Sequence, residues 1–254
     1  MEKSIITKTK NDWTIVGFPK CGTSALTRYL ADLPRINAAS HLENLRGLEL
    51  HYYDDESKPV DYLAKRYKEG HYNGHKTANY IYSKNVLSKI YQDNPDVKII
   101  IAIRELSQVL VSWWKMHKNV AKSAKIGSHF TCRDEATRNQ FLAMSLDAYF
   151  ERMKNNLDHD RYLKEILNIF PHQQIFMVRM ESLASKPYEA LLHLYKFITL
   201  QELQGYDVSS FSAKNIKKYD NILDANLSAE SSLKLKQMQE NINKTLNTFN
   251  GILF

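Results

Sequence analysis

The sequence predicts an α/β fold of three layers, in which helices flank a mainly parallel central sheet. Apolar segments rich in β-branched residues alternate along the chain with amphipathic segments, and such alternation favours a parallel sheet. The segment VKIIIAI at residues 97–103 is apolar throughout, which is typical of a strand covered on both faces. The first apolar segment also runs into a glycine-containing turn and then into a helical pattern.

The predicted elements follow one another in a regular order. Strands are predicted at residues 14–18, 97–103 and 174–180. Helices are predicted at residues 23–33, 84–92, 107–117, 146–170, 187–197 and 228–247. Pro34, Asn94-Pro95 and Pro171 end three of these helices, because proline cannot continue a helix. Ser107 is predicted to cap the N-terminus of its helix.

The composition is that of a basic globular protein. The chain has 254 residues, of which 43% are hydrophobic and 25% charged, so one domain covering residues 1–254 is expected. A net charge of +7 suits an anionic ligand, although a basic surface without a function explains it equally well. No nucleic-acid partner is predicted, and the oligomeric state cannot be derived from the sequence.

Apolar segments and cysteine spacing bear on the protein's location in the cell. The N-terminus has no apolar core of signal-peptide length, and no segment reaches the length of a membrane span. Cys21 and Cys132 show neither metal-ligand spacing nor a disulfide framework. A cytoplasmic location is therefore expected.

The turn after the first strand has the glycine spacing of a phosphate-binding loop but a displaced lysine. In GFPKCGTS, residues 17–24, Thr23 stands where a Walker loop has its lysine, and Lys20 lies inside the turn. Backbone N–H groups of residues 21–25 can still point at an anion from the start of the helix. The turn is thus P-loop-like, and it fits a ligand with one phosphate at that end and no metal. A purely structural turn is the alternative.

An arginine and a serine follow the apolar strand at residues 97–103. Arg104 comes directly after the strand, and Ser112 lies eight residues later on the next predicted helix. Ligands of open α/β sheets bind outside the carboxyl ends of the strands, so the planar guanidinium of Arg104 is expected to bind a second phosphate there. Pairing of Arg104 with a local acid such as Glu105 is the alternative.

In combination these motifs resemble those of sulfotransferases that use 3′-phosphoadenosine 5′-phosphosulfate (PAPS). GFPKCGTSAL is similar to the family's 5′-phosphosulfate loop, and the arginine and serine of RELSQVLVS are similar to its 3′-phosphate loop. ELHYYDD (49–55) and HKTANYIY (75–82) resemble the E-[LV]-H-F-F-D and E-K-T-P-x-Y segments of the carbohydrate, heparan-type branch. The similarity extends in the same order over most of residues 13–200, including a late strand-and-helix unit.

The resemblance implies a reaction and a set of site residues. PAPS is expected as the sulfuryl donor, adenosine 3′,5′-bisphosphate (PAP) as the product, and a hydroxyl or amine of a small molecule or glycan as the acceptor. Glu49 matches the general base of the heparan-type branch, and His51 is expected to orient it or the acceptor. Lys20 matches the lysine at the leaving phosphate oxygen, and Lys76 a second lysine near the transferred group. The remaining donor contacts are carried over to Cys21, Gly22, Thr23, Ser24, Ala25, Arg104, Ser112 and, in a late covering loop, Lys214 or Lys218.

The sequence departs from the family pattern in three places. Cys21 occupies a position that more often has a small residue or serine, and its thiol is a possible site of oxidation. Ala78-Asn79 replaces the proline-containing step of the E-K-T-P-x-Y segment. The late Lys-Gly loop has no clear counterpart, and SAKNIKKYDNIL (212–223) lies where it is expected.

Two other classes of protein remain as alternatives. An atypical P-loop kinase is disfavoured because Arg104 stands where a magnesium-binding aspartate would follow the strand. A non-enzymatic module for anionic ligands is disfavoured because such a surface does not need a lone carboxylate among lysines. His71 and His75 lack a third metal ligand and are interpreted as incidental. The basic segment at 115–137 is predicted to be a solvated loop or irregular helix, with a mobile lip over the active site as its functional interpretation.

Overall fold

A parallel sheet forms the centre of the fold in this computed structural model, which describes residues 10–39, 49–205 and 227–254. Its strands are β1 (Trp13–Gly17), β2 (Ile36–Ala38), β3 (Tyr72–Lys76), β4 (Lys98–Ile103), β5 (Ile175–Arg179) and β6 (Ile252–Leu253). Their order across the sheet is β2-β3-β1-β4-β5-β6, and each neighbouring pair is parallel.

Helices connect the strands, as the alternating pattern predicted. They are α1 (Thr23–Ala31), α2 (Lys84–Asp93), α3 (Leu106–Ser123), α4 (Glu135–Ala143), α5 (Leu146–Leu157), α6 (His159–Leu167), α7 (Met180–Ser185), α8 (Pro187–Thr199) and α9 (Ala229–Asn247). The α/β class with a parallel sheet flanked by helices is therefore confirmed.

The chain divides into two compact units. The first contains Met1–Ile103, Lys164–Ile216 and Phe249–Phe254, and the second contains Arg104–Leu163 and Lys217–Thr248. The sheet, α1, α2, α7 and α8 belong to the first unit, whereas α3, α4, α5 and α9 belong to the second. The expectation of a single domain stays a prediction.

The core of the first unit follows the apolar strands. Ile99, Ile100 and Ile101 of β4 are fully buried, so side chains pointing to opposite faces of the strand are both covered. A cap and a proline mark two helix starts: the Ser83 hydroxyl accepts from the N–H of Val86 at the start of α2, and Pro187 opens α8, where the sequence predicted that helix to begin.

The sequence did not predict β3, because its buried residues are polar. Asn73, His75 and Lys76 are each at most 4% exposed, and the strand contains one glycine. Hydrogen bonds satisfy Asn73: its side chain accepts from the N–H of Lys68 at 2.7 Å and from Asn37 at 2.8 Å. A polar strand that is stabilised by distant partners shows no apolar periodicity.

Two helix predictions in the second unit need correction. The predicted helix at 146–170 is interrupted at Asp158, which ends α5, and its carboxylate accepts from the N–H of Arg161 in the first turn of α6. Ser107 does not cap α3, which begins at Leu106 after Glu105. The side chain of Gln239 accepts from the N–H of Leu106 at 2.9 Å instead.

The basic segment at 115–137 is mostly helical, which fits the irregular helix and not the loop among the two predicted alternatives. α3 continues to Ser123, a short 3-10 helix covers Phe130–Cys132, and α4 begins at Glu135. His117 is 4% exposed, and its Nδ1 lies 2.6 Å from the hydroxyl of Tyr149. This histidine is therefore part of the second unit's core and does not contribute to a basic surface.

Candidate active site

The turn between β1 and α1 has the conformation of an anion-binding loop. Gly22 is the N-cap of α1 with a φ of 82°, and Lys20 also has a positive φ, of 66°. The first turn of α1 has no acidic residue, and no side chain caps its N-terminus. The positive end of the helix dipole is thus available to an anion.

The segment that begins at Glu49 is fixed to the end of β3 by backbone contacts. The N–H of Leu50 donates to the carbonyl of Lys76 at 3.4 Å, and the N–H of His51 donates to the Thr77 hydroxyl at 3.1 Å. The N–H of Tyr53 donates to the Tyr80 hydroxyl at 3.0 Å. The two motifs ELHYYDD and HKTANYIY, distant in the sequence, therefore lie side by side.

This arrangement joins the candidate base to the glycine loop. Oε1 of Glu49 lies 3.6 Å from Nζ of Lys76, and Nζ also donates to Oγ of Ser24 at 3.1 Å. The Lys76 side chain is 3% exposed and that of Glu49 is 24% exposed. The structure thus brings together three predicted site residues, one from each of three motifs.

Burial lowers the pKa of Lys76 below its usual range, and the positive charge of Arg28 acts in the same direction. The carboxylate of Glu49 opposes this shift through its charge and a hydrogen bond. An ammonium group with this little water around it interacts strongly with any anion that approaches.

His51 is held between two carboxylates. Its Nδ1 lies 2.9 Å from Oδ2 of Asp54, and its Nε2 lies 3.6 Å from Oε2 of Glu49. The φ of His51 is 51°, in the left-handed region that a non-glycine residue rarely adopts. His51 therefore contacts both Asp54 and Glu49, and Glu49 in turn contacts Lys76.

Arg104 and Ser112 belong to the second unit. Arg104 follows β4 in the chain, and its Nη2 donates to the side chain of Gln108 at 3.5 Å. Ser112 lies on α3 and is 9% exposed. Gln108 and Ser112 lie four residues apart on one side of α3, and Arg104 lies just before the helix. Their role towards a phosphate stays a prediction.

The other residues predicted to bind the donor lie in the turn before α1, in α1 or outside the described residues. The Cys21 side chain is fully buried, which protects its thiol from oxidants, and its N–H donates to the carbonyl of Phe18 at 3.2 Å. Gly22, Thr23 and Ala25 form the turn and the first residues of α1. Lys214 and Lys218 lie outside the described residues.

The two histidines interpreted as incidental have different surroundings. His71 is exposed and contacts the carbonyl of Glu69, whereas His75 is fully buried. Within residues 10–39, 49–205 and 227–254, no three His, Cys, Asp or Glu side chains converge as metal ligands. In the same ranges no helix is long and apolar enough to cross a membrane.

Sequence reasoning assigned no role to several residues that build this site. Asp54 orients His51, and Thr77 and Tyr80 anchor the segment that contains Glu49. Arg28 repels the charge on Lys76. Two sequence spacings could have indicated these contacts. Asp54 is three residues after His51, and Arg28 is one helical turn after Ser24.

Comparison with known proteins identifies the family. The model of the sulfotransferase domain matches residues 10–246. A sulfotransferase from Alicyclobacillus acidocaldarius has a similar structure, with a TM-score of 0.60, 17% sequence identity, and coverage of 95% of this chain and 96% of that one. The sulfotransferase domain from the curacin biosynthetic pathway aligns over 98% of this chain and 100% of its own at 16% identity, with a TM-score of 0.47. No curated protein sequence matches significantly. Because the family model covers most of the sequence, the chain belongs to the sulfotransferase family.

Proposed function

We propose that the protein transfers a sulfuryl group from PAPS to a hydroxyl or amine of a small-molecule or carbohydrate acceptor, as the heparan-type branch does. The observation that supports this most is the link between the candidate base and the glycine loop. Glu49 contacts Lys76, and Lys76 contacts Ser24 in the first turn of α1. A base and a cation beside an anion-binding loop are what this transfer requires.

In this proposal the first unit binds one end of PAPS. The uncapped N-terminus of α1 and the left-handed turn at Gly22 suit the 5′-phosphosulfate. In this proposal Gly22, Thr23, Ser24 and Ala25 hold that group. Cys21 contributes through its backbone at most, because its side chain faces the core.

The 3′-phosphate is assigned to Arg104 and Ser112. Arginine presents a planar fork that matches phosphate oxygens, and this phosphate is the group that distinguishes PAPS from ATP. Lys214 or Lys218 stays assigned to a covering loop on sequence position alone.

The chain's own residues perform the proton and charge steps. Bound PAPS supplies the activated sulfuryl group. Glu49 accepts the proton of the acceptor group as its oxygen or nitrogen bonds to sulfur. Lys20 stabilises the negative charge that forms on the departing phosphate oxygen, and Lys76 stabilises charge near the transferred group. His51 orients Glu49 or the acceptor, and Asp54 fixes the histidine ring.

Calorimetric titration of PAP, AMP and ATP into the protein without Mg²⁺ tests the proposal without an acceptor. PAP should bind more tightly than AMP or ATP. Arg104→Ala should weaken PAP binding about ten- to a hundredfold, which corresponds to about 1.5–3 kcal/mol for a charge-assisted contact, and should leave AMP binding unchanged. Equal affinity for PAP and AMP contradicts the assignment of Arg104. Tighter binding of ATP with Mg²⁺ would instead support the P-loop kinase.

A further inference from the structure

An open groove begins at the candidate base in the first unit. A cavity of about 490 Å³ is lined by Glu49, His51, Asp54, Asp55, Lys58 and Tyr62, among others. A second cavity of about 440 Å³ shares Asp55 and Lys58 with it. The two cavities, here called the acidic groove, are thus adjacent, and each has a volume typical of a small-molecule site, about 300–1,000 Å³.

Aromatic rings form part of the groove's wall. The rings of Tyr52 and Tyr62 are nearly parallel, with an interplanar angle of 6° and centroids 6.3 Å apart. The ring of Tyr53 meets that of Tyr52 edge-on at 4.9 Å. The hydroxyl of Tyr52 donates to the carbonyl of Val60, which ties the Tyr52 ring to the segment that contains Val60. Cationic groups already lie over the Tyr62 ring, with Nζ of Lys58 4.8 Å and Cζ of Arg66 3.9 Å from its centroid. This aromatic wall therefore suits a cationic group or a ring.

Among the lining residues that the structure describes, carboxylates outnumber ammonium groups. The acids are Glu49, Asp54, Asp55, Glu56 and Asp93, and the lysines are Lys58 and Lys89. Lys58 is already paired with Asp55 at 3.5 Å, and Glu49 is paired with Lys76 at 3.6 Å, so Glu56 and Asp54 carry more of the groove's negative charge. Glu56 forms no ion pair with any residue that the structure describes. The groove is therefore locally acidic in a chain whose net charge is +7.

We propose that the acidic groove selects an acceptor with a protonated amine on or near a ring, and rejects a polyanionic glycan. This inference rests on the proposed function, since the groove matters only if Glu49 is the base. A sulfated or carboxylated chain that enters the groove places like charges beside Asp55 and Glu56, and like-charge contacts disfavour binding. An ammonium group gains from the same carboxylates, and the ring lies against the tyrosines.

The probes are three disaccharides that differ only at nitrogen. Each consists of β-1,4-linked glucosamine units, with free amines, with N-acetyl groups or with N-sulfate groups. Each is titrated calorimetrically into the protein saturated with PAP, in mildly acidic buffer that keeps the amines protonated. The amine form should bind about three- to tenfold more tightly than the acetylated form, and the sulfated form more weakly than both. Added salt should reduce these differences.

Two variants locate the effect in the groove. Glu56→Gln removes a lining charge and should reduce the preference for the amine over the acetylated form. Glu69→Gln removes an exposed carboxylate of the same unit that does not line the groove, and it should leave the preference unchanged. Equal affinity for amine and acetylated forms, or tighter binding of the sulfated form, overturns the inference.

The titration of PAP alone separates this inference from the proposed function. Failure to bind PAP contradicts the proposed function. Normal PAP binding with the wrong order among the three disaccharides contradicts only the inference about the acceptor.

Discussion

Glu49 and Lys76 form an ion pair at 3.6 Å between Oε1 and Nζ, although they belong to different segments of the chain. Hydrogen bonds from the backbone of Leu50 and His51 to Lys76 and Thr77 fix the two segments beside each other. The pair holds the Glu49 carboxylate at the end of β3, which is where the proposed function places the general base.

The first prediction concerns this carboxylate. Glu49→Gln keeps the size of the side chain but cannot accept a proton at neutral pH. Turnover with PAPS and the glucosamine disaccharide should fall about 10²–10⁴-fold, while PAP affinity stays nearly unchanged. Glu69→Gln is the matched control. An active Glu49→Gln together with an inactive His51→Ala would identify histidine as the base.

Asp54 is predicted to act as a positioning residue through His51. Its Oδ2 lies 2.9 Å from Nδ1 of the histidine, and this contact selects the tautomer and the ring orientation. Asp54→Asn should lower turnover about tenfold, change the pH profile of turnover, and leave PAP affinity intact. Asp61→Asn, at an exposed ion pair with Lys65, is the control. An unchanged pH profile would reduce Asp54 to a structural role.

Lys20 is predicted to contribute mainly to the transition state. Negative charge on the leaving phosphate oxygen is greatest there, so Lys20→Ala should lower turnover by a larger factor than it lowers PAP affinity. Lys65→Ala, at an exposed lysine of the same unit, controls for the loss of a surface charge. A change confined to the Michaelis constant for PAPS would show that Lys20 binds only the ground state.

The sequence was most informative where local chemistry decides the structure. β4 was predictable because its isoleucines are buried on both faces, and the turn at Gly22 because its glycine spacing is distinctive. The sequence was least informative where contacts with residues distant in the chain determine the structure. The contact of Gln239 with the start of α3 and the burial of polar residues in β3 depend on the tertiary fold. Resemblance assigned both Glu49 and Lys76 to the site, but neither resemblance nor spacing predicted their contact.

Gly22 is predicted to be required mainly for its backbone conformation, and displacement of the flexible Met180 side chain adds a smaller cost. A Cβ at this position would collide with Cε and Sδ of Met180 and lie 3.1 Å from its Cγ, and the φ of 82° disfavours any side chain. Gly22→Ala should lower the melting temperature and weaken PAP binding. Gly70→Ala is the matched control, because Gly70 has a φ of 70° but no heavy atom within 4 Å of the added Cβ. Equal thermal losses in the two variants would show that the collision with Met180 costs nothing.

His75 is predicted to make the stability of the protein depend on pH. Complete burial lowers the pKa of His75 from 6.5 to about 3. Its ring is stacked on that of Tyr53, and its Nδ1 lies 3.4 Å from the hydroxyl of Tyr67. In the unfolded chain His75 therefore takes up a proton near pH 6.5, whereas in the folded chain it takes up that proton only near pH 3.

The sign of the effect follows from this difference in bound protons. The contribution of His75 is fully present above about pH 6.5 and is lost as the pH falls towards 3. In that window one proton corresponds to a slope of about 1.4 kcal/mol per pH unit in the free energy of unfolding. His75→Gln should reduce the measured slope by up to that amount, whatever its effect on stability at neutral pH. His159 has a similarly lowered pKa, so part of the pH dependence should remain.

Urea denaturation between about pH 4 and 7 measures this slope for each variant. The control is His71→Gln, because His71 is an exposed histidine of the same segment and should give the slope of the original protein. A slope in His75→Gln equal to that in His71→Gln would mean that His75 takes up a proton as readily in the folded chain as in the unfolded one. The strand that contains Lys76 would then be open to water at His75, and the burial that lowers the pKa of Lys76 would need the same test.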